Sequence, residues 1–449
     1  MSKRCEGLRA QGRHELARLL EAQHQTPLEA YARSLWEPAP RVPEFSPLLR
    51  RALEAELHRL GFGLQEAERH LESLERTRVL QTATHLTLSE GPTFLGLHRL
   101  ALMGRPEGET YWVGAWSGVP FANSAWSGCM NWSNRFPLER LISEKAPRFR
   151  DLKQAELDRA RDTPEGFSEN RFAVVPGKWR DARVYGSTIP ERTLKLTPHF
   201  AHSLTSLMPK VVLDHSFTSW ACRFSRNQLE RALRVKDVVY FDLNRVISEV
   251  LVHLLEQSGH PLRELLCDPE RHQQMLDELG EDTVWFFGEV VTPDRRRFDP
   301  LRSENGYLSG RGVSVPLVGT SLHEELRTGG LCPGLLLSFS LLAFESGLTC
   351  LGSFEQIEYL ERFRNAWAAL QESKLPGLNQ ARTNAFCWGR SRDAFGQEVY
   401  PLDILLGEPL PEIQSQTLGE WLGPLWGRLG LEAPPSPQNL TMESGYRHS

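Results

Sequence analysis

Apolar residues recur at helical spacing through the first part of the chain. In "SPLLRRALEAELHRLGFGLQEAERHLESLERT" the leucines fall on one predicted helix face: Leu48, Leu49, Leu53, Leu57 and Leu60. Ser46 before Pro47 is typical of a helix cap followed by a first-turn proline. After Gly61 and Gly63 the pattern predicts a second amphipathic helix toward Thr77. We therefore expect a helical region over 1–78.

The pattern changes after residue 78. "RVLQTATHLTL" is rich in β-branched residues, and Ser89-Glu90-Gly91-Pro92 separates it from the apolar, helix-like "TFLGLHRLALMG". "TYWVGAW" then predicts another strand. Strand, turn and helix in this order are typical of an α/β unit with a parallel sheet. The sequence therefore predicts an α/β core over 79–400.

Further elements are predicted downstream. "KDVVYFDLNRVISEVLVHLLEQSG" changes from a strand to a helix and opens a helical insertion near 245–284. We expect "TPDRRRFDP", residues 292–300, to be an exposed loop. Glycines divide "GGLCPGLLLSFSLLAFESGLTCLGSFEQIEYLERFRNAWAAL" into helix, short strand and helix. Residues 401–449 are predicted to hold a C-terminal helix and a disordered tail.

Charge and cysteine usage bound the class of protein. The chain has 449 residues, with 52 Lys and Arg against 57 Asp and Glu, and no basic block that would follow a nucleic-acid backbone. Its seven cysteines are scattered without a C-x-x-C pair, and no apolar run has the length of a membrane span. We expect a cytoplasmic protein with small-molecule substrates, without nucleic-acid or membrane partners. The sequence is compatible with a homo-oligomer.

Motifs for cofactors are absent from the sequence. It contains no G-x-S-x-G elbow and no glycine-rich phosphate loop, so the cofactor remains unknown. His199, His202 and His215 are the densest candidate zinc ligands, but they lack the acidic partner of H-E-x-x-H. A helix with ordinary surface histidines is the favoured interpretation, so no metal site is predicted. A metal-dependent hydrolase is the alternative.

Two segments offer binding chemistry. The amides after Gly91 can hold a carboxylate or phosphate at a helix start, although an ordinary turn explains the same residues. In "YWVGAWSGVPFANSAWSGCMNWSNRF" the motif Ala-Trp-Ser-Gly occurs twice, and four tryptophans are crowded together. Indole rings stack on flat or cationic ligands, or they fill a core. Binding site and core are about equally supported.

"LQTATHLTLSEGPTFLGLHRLAL" with "TYWVGAW", and the late segment "LRTGGLCPGLLLSFSLLAFESGLTCLGSFEQIEYLERFRNAW", resemble core segments of the bacillithiol cysteine-adding enzyme family. The positions that carry the resemblance are Gly91, Pro92, Arg327, Pro333, Gly352, Gln356 and Tyr359. The resemblance implies a Rossmann-like parallel-sheet core with helical additions. It also implies a ligase that joins cysteine to a sugar-malate conjugate.

The sequence departs from the family at two places. Thr82-Ala83-Thr84-His85 stands where the family has a glutamine-rich turn, and residues 115–120 lack the acidic residues and histidine found there. The family's acid–base or metal chemistry therefore cannot be carried by these residues. The long coiled-coil insertion is also missing. We expect a pocket that has been rebuilt for another substrate.

Our leading hypothesis is a biosynthetic enzyme that couples an amino acid or thiol to a small polar acceptor. The predicted site residues are His85 as acid or base, Arg327 as a carboxylate clamp, the Gly91 and Thr93 amides as an anion site, Trp116 and Trp126 as a stacking wall, and Gln356 and Tyr359 as orienting groups. The alternative from another class is a non-catalytic small-molecule-binding or scaffold protein on the same fold. Convergence of these residues favours the enzyme.

Overall fold

A computed structural model of the chain describes residues 1–38, 43–86, 90–117, 173–175, 183–185, 217–292, 295–370, 375–393, 395–405, 409–410, 412–413 and 415–431.

The first segment is helical, as its periodicity predicts. Its helices are α1 Ser2–Ala10, α2 His14–Gln23, α3 Leu28–Ser34, α4 Pro47–Arg59 and α5 Leu64–Thr77. Ser46 caps α4 by accepting a hydrogen bond from Leu49 N, and Pro47 occupies the first turn, which confirms the predicted start. The leucine stripe of α4 is buried, because that helix packs against the core that follows.

A four-stranded parallel sheet forms the centre of the following region. Its strands are β1 Val79–His85, β2 Tyr111–Trp116, β5 Val238–Asp242 and β11 Thr349–Leu351, in the spatial order β11-β1-β2-β5. Every residue of β2 and β5 is buried, as expected of parallel strands covered on both faces. The α/β class with a parallel sheet is therefore confirmed.

Helices follow the strands of this sheet. They are α6 Pro92–Gly104 after β1, α7 Phe217–Leu233 before β5, α8 Leu243–Leu255 after β5, α9 Pro261–Cys267, α10 Pro269–Leu279 and α11 Gly319–Thr328. Before β11, α12 Leu335–Phe339 continues as a π-helical turn over Ser340–Glu345, and α13 Phe354–Ala369 follows β11. The late helix, strand and helix and the helices within 245–284 agree with the prediction.

A second sheet was missed by the sequence interpretation. It is antiparallel, with the order β10-β6-β7-β8-β9, and comprises β6 Phe286–Thr292, β7 Arg295–Glu304, β8 Tyr307–Gly310, β9 Val313–Pro316 and β10 Leu331–Pro333. The predicted exposed loop over 292–300 is wrong, because residues 295–300 pair with β6. Ladder hydrogen bonds and cross-strand contacts outweigh the low strand propensity of an Arg-, Asp- and Pro-containing segment.

The remaining described elements are short. A two-stranded antiparallel pair joins β3 Ala173–Val175 to β4 Arg183–Tyr185, and the late helices are α14 Pro401–Leu405, α15 Leu418–Trp421 and α16 Gly423–Arg428. The late helices return to the N-terminal ones, since Gly7 packs against Leu431 and Leu418 N donates to Thr26 O. None of the helices among the described residues is both long and apolar enough to cross a membrane.

Candidate functional site

The carboxyl ends of the parallel strands lie at one edge of the sheet. β1 ends at His85, β2 at Trp116, β5 at Asp242 and β11 at Leu351. Chain order reverses between β1 and its neighbour β11, because β1 leads to β2 on one side while β11 joins on the other. In open α/β sheets ligands bind outside the carboxyl ends, at such a reversal. This edge is therefore the candidate site.

His85 and Trp116 occupy this edge together. They are register partners at the ends of β1 and β2, and the His85 ring centroid lies 6.2 Å from that of Phe94. Burial lowers the pKa of His85 to about 4, so its imidazole is neutral near pH 7. The Trp116 indole donates from Nε1 to Thr82 O at 2.6 Å. The indole is thus fixed by the protein itself, with its ring 5.8 Å from that of Phe339.

Gln356 and Tyr359 reach the same end of the sheet from α13. Gln356 is buried; its Nε2 donates to Cys350 O at 3.0 Å, and its Oε1 lies 3.1 Å from the Thr82 hydroxyl. These bonds tie β1 to β11, so the amide serves as a support for the strands. The Tyr359 ring lies 5.5 Å from Phe339, which continues the aromatic row that begins at Trp116.

Gly91 stands immediately before α6, as the sequence predicts. It has an extended backbone, Pro92 occupies the first turn, and no side chain caps the helix. Thr93 lies in the same first turn. The neighbouring Glu90 is buried, and its Oε1 is 2.9 Å from both His98 Nε2 and the Tyr240 hydroxyl. The carboxylate of Glu90 thus forms hydrogen bonds inside the protein, next to the start of α6.

Arg327 does not join this group. It lies on the exposed side of α11, where its Nε and Nη2 donate to the two carboxylate oxygens of Glu324 at 3.0 and 2.9 Å. An arginine already paired within its own helix has no free fork to clamp a substrate carboxylate. Trp126 and the histidines at 199, 202 and 215 lie outside the described residues.

The structure adds a polar group at β2 and β5 that the sequence interpretation missed. Asp242 Oδ1 accepts a hydrogen bond from the Ser117 hydroxyl at 2.5 Å and another from Arg245 N at 3.2 Å. Ser117 N donates to Asn244 Oδ1 at 3.0 Å. Asp242 is completely buried, and its second oxygen, Oδ2, has no hydrogen-bond partner in the described part of the chain.

A buried ion pair stands beside Asp242. Glu56, from α4, accepts hydrogen bonds from Arg59 Nε at 2.6 Å and Nη2 at 2.5 Å, and its Oε1 also accepts from Asp242 N at 3.2 Å. Burial raises the pKa of Glu56, although the bonds to Arg59 oppose that shift. Burial acts to lower the pKa of Arg59, but the hydrogen bond to Glu56 prevails and raises it.

Sequence signals for this group existed. Asp242 follows a buried strand and precedes an apolar helix, the position of an N-cap. Glu56 interrupts the leucine stripe of α4, three residues after Leu53 and four before Leu60. A carboxylate on an otherwise apolar helix face is rarely buried without a partner. Asp242 and Glu56 could thus have been recognised as candidates.

At this edge the Asp242 Oδ2 atom is buried without a donor from the described residues, and His85 adds a neutral imidazole beside an aromatic row. Such an oxygen can accept a hydrogen bond from an ammonium, amide or hydroxyl group of a ligand. No group of three His, Cys, Asp or Glu side chains in the described ranges is arranged to hold a metal ion. The six described cysteines are free thiols.

Comparisons with protein-family models, curated proteins and solved structures found no match to this chain.

Proposed function

We propose that the chain is a biosynthetic enzyme that couples an amino acid or thiol to a small polar acceptor at the carboxyl edge of the parallel sheet. The observation that carries the proposal is Asp242 Oδ2, a fully buried acceptor without a donor in the described residues. The strand order β11-β1-β2-β5 supports a Rossmann-like arrangement of the core. Free thiols accord with a cytoplasmic setting.

An amino-acid ammonium suits the open oxygen of Asp242. A buried carboxylate oxygen that makes no hydrogen bond costs about 1–3 kcal/mol or more, so a ligand that supplies a donor gains this energy on binding. Ser117 and Arg245 N already occupy Oδ1, which leaves Oδ2 for the ligand. A cationic N–H also forms the stronger, charge-assisted type of hydrogen bond.

The role of His85 in this proposal is hydrogen bonding. A general base works best when its pKa lies near the working pH, and the pKa of His85 is lowered to about 4 by burial. At neutral pH its imidazole therefore donates or accepts a hydrogen bond without changing its protonation state. This modifies the acid–base role expected from the sequence, while it keeps His85 at the site.

A thermal-shift experiment tests the ammonium requirement. The full chain is melted with L-cysteine, with cysteamine, which keeps the ammonium and thiol, and with 3-mercaptopropionate, which lacks the ammonium. We expect the first two to raise the melting temperature and the third to leave it unchanged, since stabilisation follows ligand affinity. Absence of a shift with every ligand would contradict the proposal.

The Asp242→Asn variant identifies the residue responsible. Asparagine can keep an oxygen for Ser117 and Arg245 N and is as good a helix cap, but it replaces Oδ2 by an NH₂ donor. We expect the protein to fold and the cysteine-induced shift to disappear. Asp237→Asn, in the turn before the same strand, is the matched control and should keep the shift, because Asp237 pairs with Arg69. An unchanged shift in Asp242→Asn would reject the site.

A non-catalytic binding protein is the second candidate. It is favoured by one observation: the Trp116 indole N–H and the Gln356 amide, both predicted to act on the substrate, bond to the protein itself. Mass spectrometry of the chain incubated with cysteine, a polar acceptor and ATP separates the two. A coupled product supports the enzyme, whereas saturable binding without any product supports the binding protein. The metal-dependent hydrolase stays a prediction.

A further inference from the structure

Three arginines from distant parts of the chain meet beside the start of α13. The Arg13 guanidinium carbon lies 4.8 Å from the Phe354 ring centroid, and that of Arg428 lies 5.4 Å from the same centroid. Phe386 forms a β-bridge with Gly352, directly after β11, and Arg390 lies in the segment that follows Phe386. The group therefore lies at the carboxyl end of β11.

Several guanidinium nitrogens in this group are buried without an acceptor. Nε and Nη1 of Arg13, and Nε of Arg390, make no hydrogen bond within the described residues. Arg13 Nη2 pairs with Glu355 at 2.8 Å, and Arg390 Nη2 pairs with Glu398. The Phe354 ring face beside Arg13 is a weaker partner than an oxygen atom, so these buried donors can still gain an acceptor from a ligand.

The charges of the group are also unbalanced. Three guanidinium groups face two carboxylates, and the Glu355 side chain is 58% exposed, so its charge is well screened by solvent. Burial lowers the pKa of Arg428; repulsion from Arg390 and Arg13 adds to this, while Glu355 opposes it. An anion bound beside these guanidinium groups would offset their mutual repulsion.

We propose that Arg13, Arg390 and Arg428 form a binding site for the oxyanion end of a small-molecule ligand, a phosphate or a carboxylate. Planar guanidinium forks match both groups through paired N–H···O bonds. The adjacent first turn of α13 has no side-chain cap, so its backbone N–H groups can also donate hydrogen bonds to an anion bound there. Arg13 is 18% exposed and Arg428 lies at the surface, so a ligand reaches the site from solvent.

This inference does not depend on the proposed function. The two sites share the carboxyl edge, but Asp242 ends β5 and the arginine site adjoins β11, three strand spacings or about 14 Å away. They use no residue in common. Loss of cysteine binding in Asp242→Asn therefore leaves anion binding unaffected, and the two proposals fail separately.

Isothermal titration calorimetry of the full chain with sodium pyrophosphate and sodium succinate tests the site. Ionic strength is held constant with sodium chloride, so that general screening does not contribute. We expect a saturable exchange of heat with at least one anion. Tighter binding of pyrophosphate identifies a phosphate end, and tighter binding of succinate identifies a carboxylate end. Either result supports the site.

Variants locate the binding. Arg13→Gln and Arg428→Gln should each lower the affinity for the anion by about tenfold or more, because a charge-assisted hydrogen bond is lost. Arg13→Lys keeps the charge but not the planar fork, so it should lower the affinity by less than Arg13→Gln does. It also replaces Arg13→Gln in the experiment if that variant does not fold. Arg9→Gln, which removes an exposed arginine paired with Glu21, is the control and should change affinity by less than about twofold.

Two results overturn the proposal. One is no saturable binding of either anion to the unmodified chain. The other is binding that Arg9→Gln, Arg13→Lys and Arg428→Gln weaken equally, which would indicate an adventitious, nonspecific attraction to surface charge.

Discussion

At the β5 end of the sheet, Asp242 buries a carboxylate oxygen for which the described residues supply no donor. At the β11 end, Arg13 and Arg390 bury guanidinium nitrogens for which the same residues supply no acceptor. The carboxylate end is built from β2, β5 and α8 of the core together with α4. The arginine end is assembled from three segments far apart in sequence. The same edge can thus recognise a donor at one end and an anion at the other.

The difference extends to how each end compensates its charges. Glu56 and Arg59 neutralise each other in the interior beside Asp242, with Glu56 only 3% exposed. At the arginine end, Glu355 is exposed and Glu398 is half-buried. Buried pairs are costly to break, while exposed pairs contribute little. The carboxylate end should therefore matter for stability, and the arginine end for binding.

Glu56→Gln should produce the largest loss of stability. Arg59, which is largely buried, would lose the carboxylate to which it donates two hydrogen bonds, so we expect the free energy of unfolding to fall by about 3 kcal/mol. Urea denaturation followed by circular dichroism measures the change. Glu29→Gln, in the exposed pair with Arg33, is the control and should cost less than about 0.5 kcal/mol. Equal losses of stability from the two substitutions would contradict the expected difference between the buried and the exposed ion pair.

Gly96→Ala should disturb the arginine end selectively. A Cβ on Gly96 would lie 2.5 Å from Gly389 C and 2.7 Å from Arg390 N, which are backbone atoms that cannot swing aside. We expect a loss of about 2 kcal/mol in urea denaturation and weaker pyrophosphate binding, with the cysteine-induced thermal shift retained. Gly423→Ala, whose Cβ meets nothing within 4 Å, should leave all three measurements near those of the parent.

Stability should fall on acidification because of buried histidines. Burial lowers the pKa values of both His85 and His70 to about 4. Between pH 6.5 and about 4 the unfolded chain binds protons at these residues that the folded chain does not, so the unfolded state is favoured as the pH falls. Thermal melts from pH 7.5 to 4.5 should show a smaller loss in His85→Gln than in the parent.

The His70→Gln variant distinguishes the loss of stability on acidification from the effect of His85 on ligand binding. His70 is 1% exposed and bonds to Thr110, which precedes β2 at the amino end of the strand, away from the carboxyl edge. The His70→Gln substitution should reduce the pH dependence of stability by about 1.4 kcal/mol per pH unit at most, and leave the cysteine-induced shift unchanged. His85→Gln should reduce both. If His85→Gln alters neither, His85 is no part of the site.

Arg327→Gln should have the smallest effect. Its guanidinium is exposed and pairs with Glu324 on the same helix. We expect a change of less than about 0.5 kcal/mol in urea denaturation and no change in the affinity for cysteine, pyrophosphate or succinate. A loss of ligand binding would return Arg327 to the role that the family resemblance implies.

Local patterns in the sequence predicted the core elements well. The buried strand of β2, the strand-to-helix change at Asp242 and the cap at Ser46 all depend on short-range signals, namely apolar runs and capping chemistry. β7 could not be recognised in this way. Its arginines and Pro300 disfavour a strand locally, and only pairing with β6 and β8 makes one.

The candidate site was only partly predictable. His85 and Trp116 follow directly from strand ends, because parallel strands place their carboxyl ends at one edge. Arg13 and Arg428 carry no such signal, since a sequence shows many arginines and does not show which ones converge. The resemblance pointed to Arg327, which lies at a helix end with its own counter-ion. Tertiary packing, which leaves no short-range pattern, decides which arginine faces a ligand.

Contacts between the first and last helices also set an order of assembly. Gln11 Nε2 donates to Leu429 O across 418 positions of sequence, and Arg13 meets Arg428 in the same region. During synthesis α1 and α2 must wait for α16 to leave the ribosome before they gain these contacts. The parallel sheet, complete at β11, can form earlier. A nascent chain thus acquires its anion-binding capacity last, after α16 has left the ribosome.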